Sequence, residues 1–432
     1  MVCRFLHLQN RIIACLKTDY GIYFSRSIEP KVRTNQVLQA AKGIEVIKIS
    51  IPYLLTIILS ILFIVIARNI AVDNMIGFQS PQGEFVRAKI QKIVDRFKPE
   101  FDFLDDYYDD FNQDSFFMAQ GETIVFEAKV THGTRKGQII TAEQTFSPLL
   151  IDRSKVVEKG DSVLLVNNEI SWYFGGYVRT NGLLILGIVF VLCLLIFGGR
   201  KGFNTILSLG FTCTAVFAVF IPAILSGRNI YVMSLLVCAY TTTIVPLIVM
   251  GYNKKSLSAI AGCAAGIVVS GIITLIMDKA LNLTGIVDEH SRYLINLPGD
   301  LQLNLRAVIF AGIIIGAMGA IMDVSISISS ALWEIKENVN RIKFKELLRS
   351  GINIGRDIMG TMADTLILAY IGSSLTVVIL LSVYSGSVLN LFNSEMIAVE
   401  ILQALAGSLG ILFAMPLTAL FCSVIYLKEE KK

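Results

Sequence analysis

Eight stretches of this chain stay almost free of charge for about the length of a bilayer crossing, and this restricts the fold more than any other feature. They cover 49–67, 182–198, 204–225, 230–250, 256–277, 305 to about 323, 364–386 and 397–427. Roughly 20 apolar residues in a helix cross ~30 Å of hydrocarbon, and a helix satisfies its own backbone there. Only 17% of the 432 residues are charged, against about a quarter in soluble domains. The expected fold is an α-helical polytopic membrane protein of about eight transmembrane helices. A small extracytoplasmic β-rich domain, barrel or sandwich and OB-like, is inserted after the first helix.

Lys and Arg in the short loops set the orientation. With the N-terminus inside, segments 1–48, 199–203, 251–255, 324–363 and 428–432 hold 21 of them, and outside loops 226–229, 278–306 and 387–396 hold 4. Both termini are therefore expected in the cytoplasm. The domains read as a cytoplasmic arm (1–48), a first helix (49–67), the insert (68–180) and a seven-helix membrane domain (181–427) with a short tail (428–432). An amphipathic cytoplasmic helix is expected at about 324–350. The arm is polar and basic and does not read as a cleavable signal.

Within the insert, "FDFLDDYYDDFNQD" reads as a solvated acidic surface, because its spacing is not that of an EF-hand loop. After Gly121 the text turns to strands: "HGTRKGQ" reads as a hairpin turn and "VVEKGDSVLLV" as two short strands about Gly160.

No CxxC occurs among the seven Cys, and His7, His132 and His290 lie far apart. No metal, haem or other cofactor is expected. The basic residues sit beside spans rather than on one face, so nucleic acid is not an expected partner. The expected partners are the lipid bilayer, a small-molecule or ion substrate, and a second copy or another membrane protein.

Ionisable groups at membrane depth are expensive and mark function by default. They are Asp323, Asp364 and Glu400. At helical period Asp323, Ser327, Ser330 and Glu334 share one stripe, which Arg341 and Lys345 would continue; Asp357, Thr361 and Asp364 share another. Glu400 and Gln403 lie near the opposite end. The candidate pathway is thus Asp323, Ser327, Ser330, Thr361, Asp364, Glu400 and Gln403. The alternative is that these carboxylates merely mark helix ends and pair with Arg356 or Lys336. Gly262, Gly266, Gly312, Gly316, Gly319 and Gly360 are the expected points of close helix approach. Pro246 follows three threonines whose hydroxyls are expected to serve the carbonyls it frees in a kinked helix.

"GAMGAIMDVSISISSALWEI", "SGINIGRDIMGTMADTLILAYIGSSL" and "EMIAVEILQALAGSLGILFAMPLTAL" resemble the YibE/F-like family of bacterial multispan membrane proteins over roughly 180–427. The resemblance implies a bacterial plasma membrane and supplies no substrate or catalytic residue. Three functions fit: a secondary transporter, an assembly or sensory protein using the β-domain, and an intramembrane aspartyl protease. The motifs around Asp323 and Asp364 do not match the last. No other catalytic motif is present, and the chain is not expected to be an enzyme.

Overall fold

The computed structural model describes residues 51–72, 84–97, 122–146, 155–168, 170–295, 302–339, 341–384 and 387–428. The arm 1–48 and the acidic run 101–114 lie outside them.

The β-module comprises β1 (Phe85–Phe97), β2 (Glu122–Val130), β3 (Ile139–Phe146), β4 (Ser162–Asn167) and β5 (Trp172–Tyr177). Alternation along the strands puts Val86, Ala88, Ile90, Ile124, Phe126, Ala128, Val130, Ala142, Val163 and Leu165 into one core. Pairing runs β1-β2-β3-β5-β4 and returns to β1. The β3–β5 link is parallel and only two residue pairs long, so the result is a small sheet with one slender seam rather than a regular barrel. The turn 131–138 forms the expected hairpin between β2 and β3, with Gly133 and Gly137 at φ +97 and +93. Two readings change. "VVEKGDSVLLV" yields one strand, because the buried Gln144 amide holds Lys155 and Val157 in a loop and Gly160 turns the chain into β4. β1 also lies well before Gly121, where the text was expected to turn to strands.

The helical body contains α1 (Ile51–Val72), α2 (Thr180–Ala215), a π-helical turn, α3 (Ile221–Leu225), α4 (Ile230–Met250), α5 (Lys254–Ala280) and α6 (Glu289–Ile295). It continues with α7 (Leu305–Asn338), α8 (Phe344–Ser373), α9 (Leu375–Tyr384), α10 (Val388–Asn393) and α11 (Glu395–Leu427). Among the described residues six helices are long and apolar enough to cross a membrane, or seven if the bent pair α8–α9 is one span. Eight were expected. The segments 182–198 and 204–225 form one run of 46 residues, Thr180–Leu225. Straight, it would reach about 69 Å, over twice the hydrocarbon thickness. It is not straight. Gly199 leaves helical space at φ 53, ψ −127, and a Cβ on Gly202 would collide with the Leu194 carbonyl. Residues eight apart in a straight helix lie about 12 Å apart, so the chain turns back sharply here. The expected span 364–386 is also broken, with α8 and α9 meeting at 60°.

The amphipathic helix expected at 324–350 is two pieces. α7 ends where Val339 is extended and Arg341 takes φ 59. α8 then starts with the Glu346 carboxylate accepting the Lys343 N–H. Arg341 and Lys345 therefore do not continue the α7 stripe.

α5, α7, α8 and α11 share the main core. α5 and α11 run antiparallel and close: a Cβ on Gly262 would strike Thr418, one on Gly266 would meet Ala414 Cβ at 2.7 Å, and Gly410 faces Ser270. A Cβ on Gly316 would come within 2.5 Å of the Tyr370 hydroxyl. At Gly312, Gly319 and Gly360 a Cβ would meet nothing, so close approach is not what these three provide. α1 docks on α4, with Ser60 bonded to the Tyr240 hydroxyl and Phe63 stacked on the Tyr240 ring at 4.3 Å. At the far end of α5, Glu395 closes a latch: its Oε1 accepts Thr284 N and Gly285 N, each at 2.7 Å, and its Oε2 accepts Thr284 Oγ1 at 2.8 Å.

Candidate functional site

The serines of α7 fall on two faces. Asp323, Ser327 and Glu334 lie on its exposed face with Ser330 half-buried, the stripe read from the period. Ser325 and Ser329 face inward and are fully buried. Thr418 Oγ1 donates to Ser325 Oγ at 3.2 Å, and Ser329 Oγ donates to the Lys255 carbonyl at 2.6 Å. Tyr426, also fully buried, bonds both the hydroxyl and the carbonyl of Ser329, at 2.8 and 3.0 Å. Every one of these polar groups is satisfied, as burial demands. The network clamps α5, α7 and α11 together and has no spare valence for a ligand.

The exposed face differs. Asp323 has no hydrogen bond or ion pair among the described residues. Its carboxylate is within electrostatic reach of Cys263 on α5. Cys263 Sγ in turn points at Thr242 Oγ1 on α4, 3.8 Å away. Cys238 is buried beside it, and the buried Thr241 hydroxyl has no partner. α4 passes Pro246 as one continuous helix. Pro246 has no N–H, so the carbonyl four residues back, on Thr242, loses its helical donor. Thr243 Oγ1 bonds Ala239 O, Thr242 Oγ1 faces Cys263 and Thr241 Oγ1 has no partner, so none of the three is seen to serve the freed carbonyl. The result is a Cys263–Thr242 contact beside a carbonyl freed by Pro246, with the Asp323 carboxylate within electrostatic reach of Cys263. A lone carboxylate in an apolar helix suits a proton or a monovalent cation. Among the described residues no group of three His, Cys, Asp or Glu could hold a metal ion.

The remaining candidates do not join this cluster. Contacts of Gly351 with Leu332, Gly355 with Ile328 and Gly316 with Tyr370 set α8 antiparallel to α7. Asp364 therefore comes level with Gly319 and Asp323 with Gly360, about one helical turn apart in height. Asp364 and Thr361 are both exposed, and Thr361 Oγ1 bonds Ile358 O. Asp364 has no partner of its own, and pairing with Arg356 or Lys336 is not seen for any of the three carboxylates. Gln403 lies beside Gly316, near Tyr370. Glu400, a turn before it on α11, is half-buried. An enclosed pocket sits near that end, lined by Tyr231, Asp278, Arg306, Phe310 and Leu402 among others. Sequence reasoning singled out Thr242 only as a partner for the carbonyls freed by Pro246, and did not single out Cys263, which no local spacing marks.

Residues 186–428 match the family model described as YibE/F-like protein. No curated protein and no solved structure matches the chain.

Proposed function

Since the chain belongs to the YibE/F-like family, we propose that it is a multi-pass membrane protein that moves a small solute or ion, coupled through Asp323. The family match and the run of long apolar helices support the membrane setting. On this reading the reversal at Gly199 divides Thr180–Leu225 into two passes, which with α8–α9 taken as one would give eight. That even number agrees with both termini being cytoplasmic, the orientation favoured by the 21-to-4 charge bias. The observation that carries the transport reading is an unpaired carboxylate, Asp323, in an apolar helix, within electrostatic reach of Cys263 on α5. In the reaction cycle Asp323 would take up a proton or cation from one side and release it to the other as the helices move.

The test is flux into proteoliposomes under imposed proton and sodium gradients, comparing wild type with Asp323→Asn. Gradient-driven flux in the wild type, reduced at least ~10-fold in the variant, is expected, the tenfold standing for loss of the coupling group. Equal flux in both, or none in the wild type across a broad solute panel, would sink the reading.

A further inference from the structure

The β-module carries a groove that has no part in this transport reading. Its volume is about 1140 Å³, and its lining includes Lys89, Lys129, Lys136 and Lys159 with no acidic residue. The four lysines come from β1, β2, the hairpin turn and the loop before β4, so no short motif announces them. All four are exposed. Among the described residues none forms a salt bridge: those of the module join Arg135 to Glu84 and Lys155 to Glu158 and Asp161. The acids nearest the loop are thus already engaged by another lysine.

Two features set the groove apart from an ordinary basic surface. Lys89 and Lys129 are direct cross-strand partners, an arrangement in which like charges repel and cost stability unless an anion lies between them. The register of β1 then slips between Ile90 and Lys92, a bulge of the kind that re-aims side chains at binding edges. Gly137 and Gly160 flank the groove with open space where side chains would stand, leaving the lysines unobstructed.

The lining also selects the ligand. It has no aromatic residue, so neither bases nor sugar rings find a stacking platform. Its apolar side chains, Ile90 and Val130, are only 2% and 1% exposed, so an acyl chain finds no slot. What remains is an array of point cations, which matches repeated phosphate charges rather than the planar fork an arginine offers. The geometry points to a binding site for a linear phosphate-bearing polymer, held through its charges by Lys89, Lys129, Lys136 and Lys159.

The probe is fluorescent long-chain inorganic polyphosphate, titrated into the full-length protein in detergent. Binding is expected to weaken roughly 50-fold between about 50 and about 200 mM salt, from the single-strand counterion coefficient applied to four contacts. Joint Lys→Gln substitution at the four positions should abolish it, joint Lys→Arg should retain it, and Lys345→Gln on α8, outside the module, should leave it unchanged. Where the quadruple Gln variant does not fold, the pairs Lys89/Lys129 and Lys136/Lys159 are replaced separately, and each should weaken binding. The proposal fails if polyphosphate does not bind, or if the folded Gln variants bind as wild type does. It fails equally if neutral dextran binds as well, if oligothymidylate binds more tightly per phosphate, or if only phosphatidylglycerol vesicles compete for these lysines.

Discussion

Asp323 and Ser325 stand two residues apart on α7 and meet opposite surroundings, one open and unpaired, the other sealed in a hydrogen-bonded core. The helical period was enough to place Asp323, Ser327 and Glu334 on one stripe, and they do share the open face. The same period could not show that Ser329 meets Tyr426, 97 residues away, because a partner across the bundle leaves no trace in local spacing. The two serine faces make a direct comparison. Ser329→Ala removes the two buried hydrogen bonds of its hydroxyl, to Tyr426 and to the Lys255 carbonyl, and should cost about 1–3 kcal/mol, whereas Ser327→Ala should stay within ~0.5 kcal/mol; thermal unfolding in detergent separates them. A titration prediction belongs to Asp288, ahead of α6. Hydrogen bonds from the Ser291 hydroxyl and N–H hold its carboxyl below the usual 3.8. A depressed carboxyl adds stability above its unfolded value, and that stability is lost as pH falls through the folded value. Amide exchange across 289–295 should therefore quicken only at pH below about 4, and Asp288→Asn should remove that acid-side change.

At the scale of elements, the apolar runs were legible because hydrophobic length is a local property, and the strand content of the insert was legible from alternation. One break was legible too: Gly199 leaves helical space within the short charged segment 199–203 expected between two spans. The others were not: α8 and α9 bend at 60° inside the expected span 364–386, and the end of α7 rests on Arg341 at positive φ, which no composition rule anticipates. The reversal within Thr180–Leu225 gives a topological prediction. Single cysteines introduced at Leu183 and at Ser226, in a background lacking the other cysteines, should label with an impermeant maleimide from the same side, and one at Arg200 from the opposite side. Labelling of 183 and 226 from opposite sides would make the run a single pass. Gly202→Val, which drives a side chain into the Leu194 carbonyl, should abolish folded protein in the membrane, read as loss of the monodisperse detergent peak.

At the scale of the molecule, the β-module and the helical body have separate cores. α1 is tied to the body by its own contacts, Ser60 with Tyr240 and the Ala71 carbonyl with Ser226. Replacing residues 73–179 with a long Gly/Ser linker should therefore leave the helical body folded and its flux intact, while removing polyphosphate binding; a body that no longer purifies as a monodisperse species would show the cores to be interdependent. The Glu395 latch constrains how such a body can work. It fixes one end of α5 to the start of α11, and lower down Gly262, Gly266 and Ser270 mesh with Thr418, Ala414 and Gly410. A slide of one turn, ~5.4 Å, would push Ala414 onto Ser270, where only a glycine now fits. The pair is a rack with its teeth engaged and one end bolted. α8 and α9 have no such rack: they bend by 60° at Ser374, and of their residues only Leu347, Gly351 and Gly355 on α8 and Ser374 at the bend are buried. A change of shape in such a body would have to be carried by that bent pair rather than by α5 against α11.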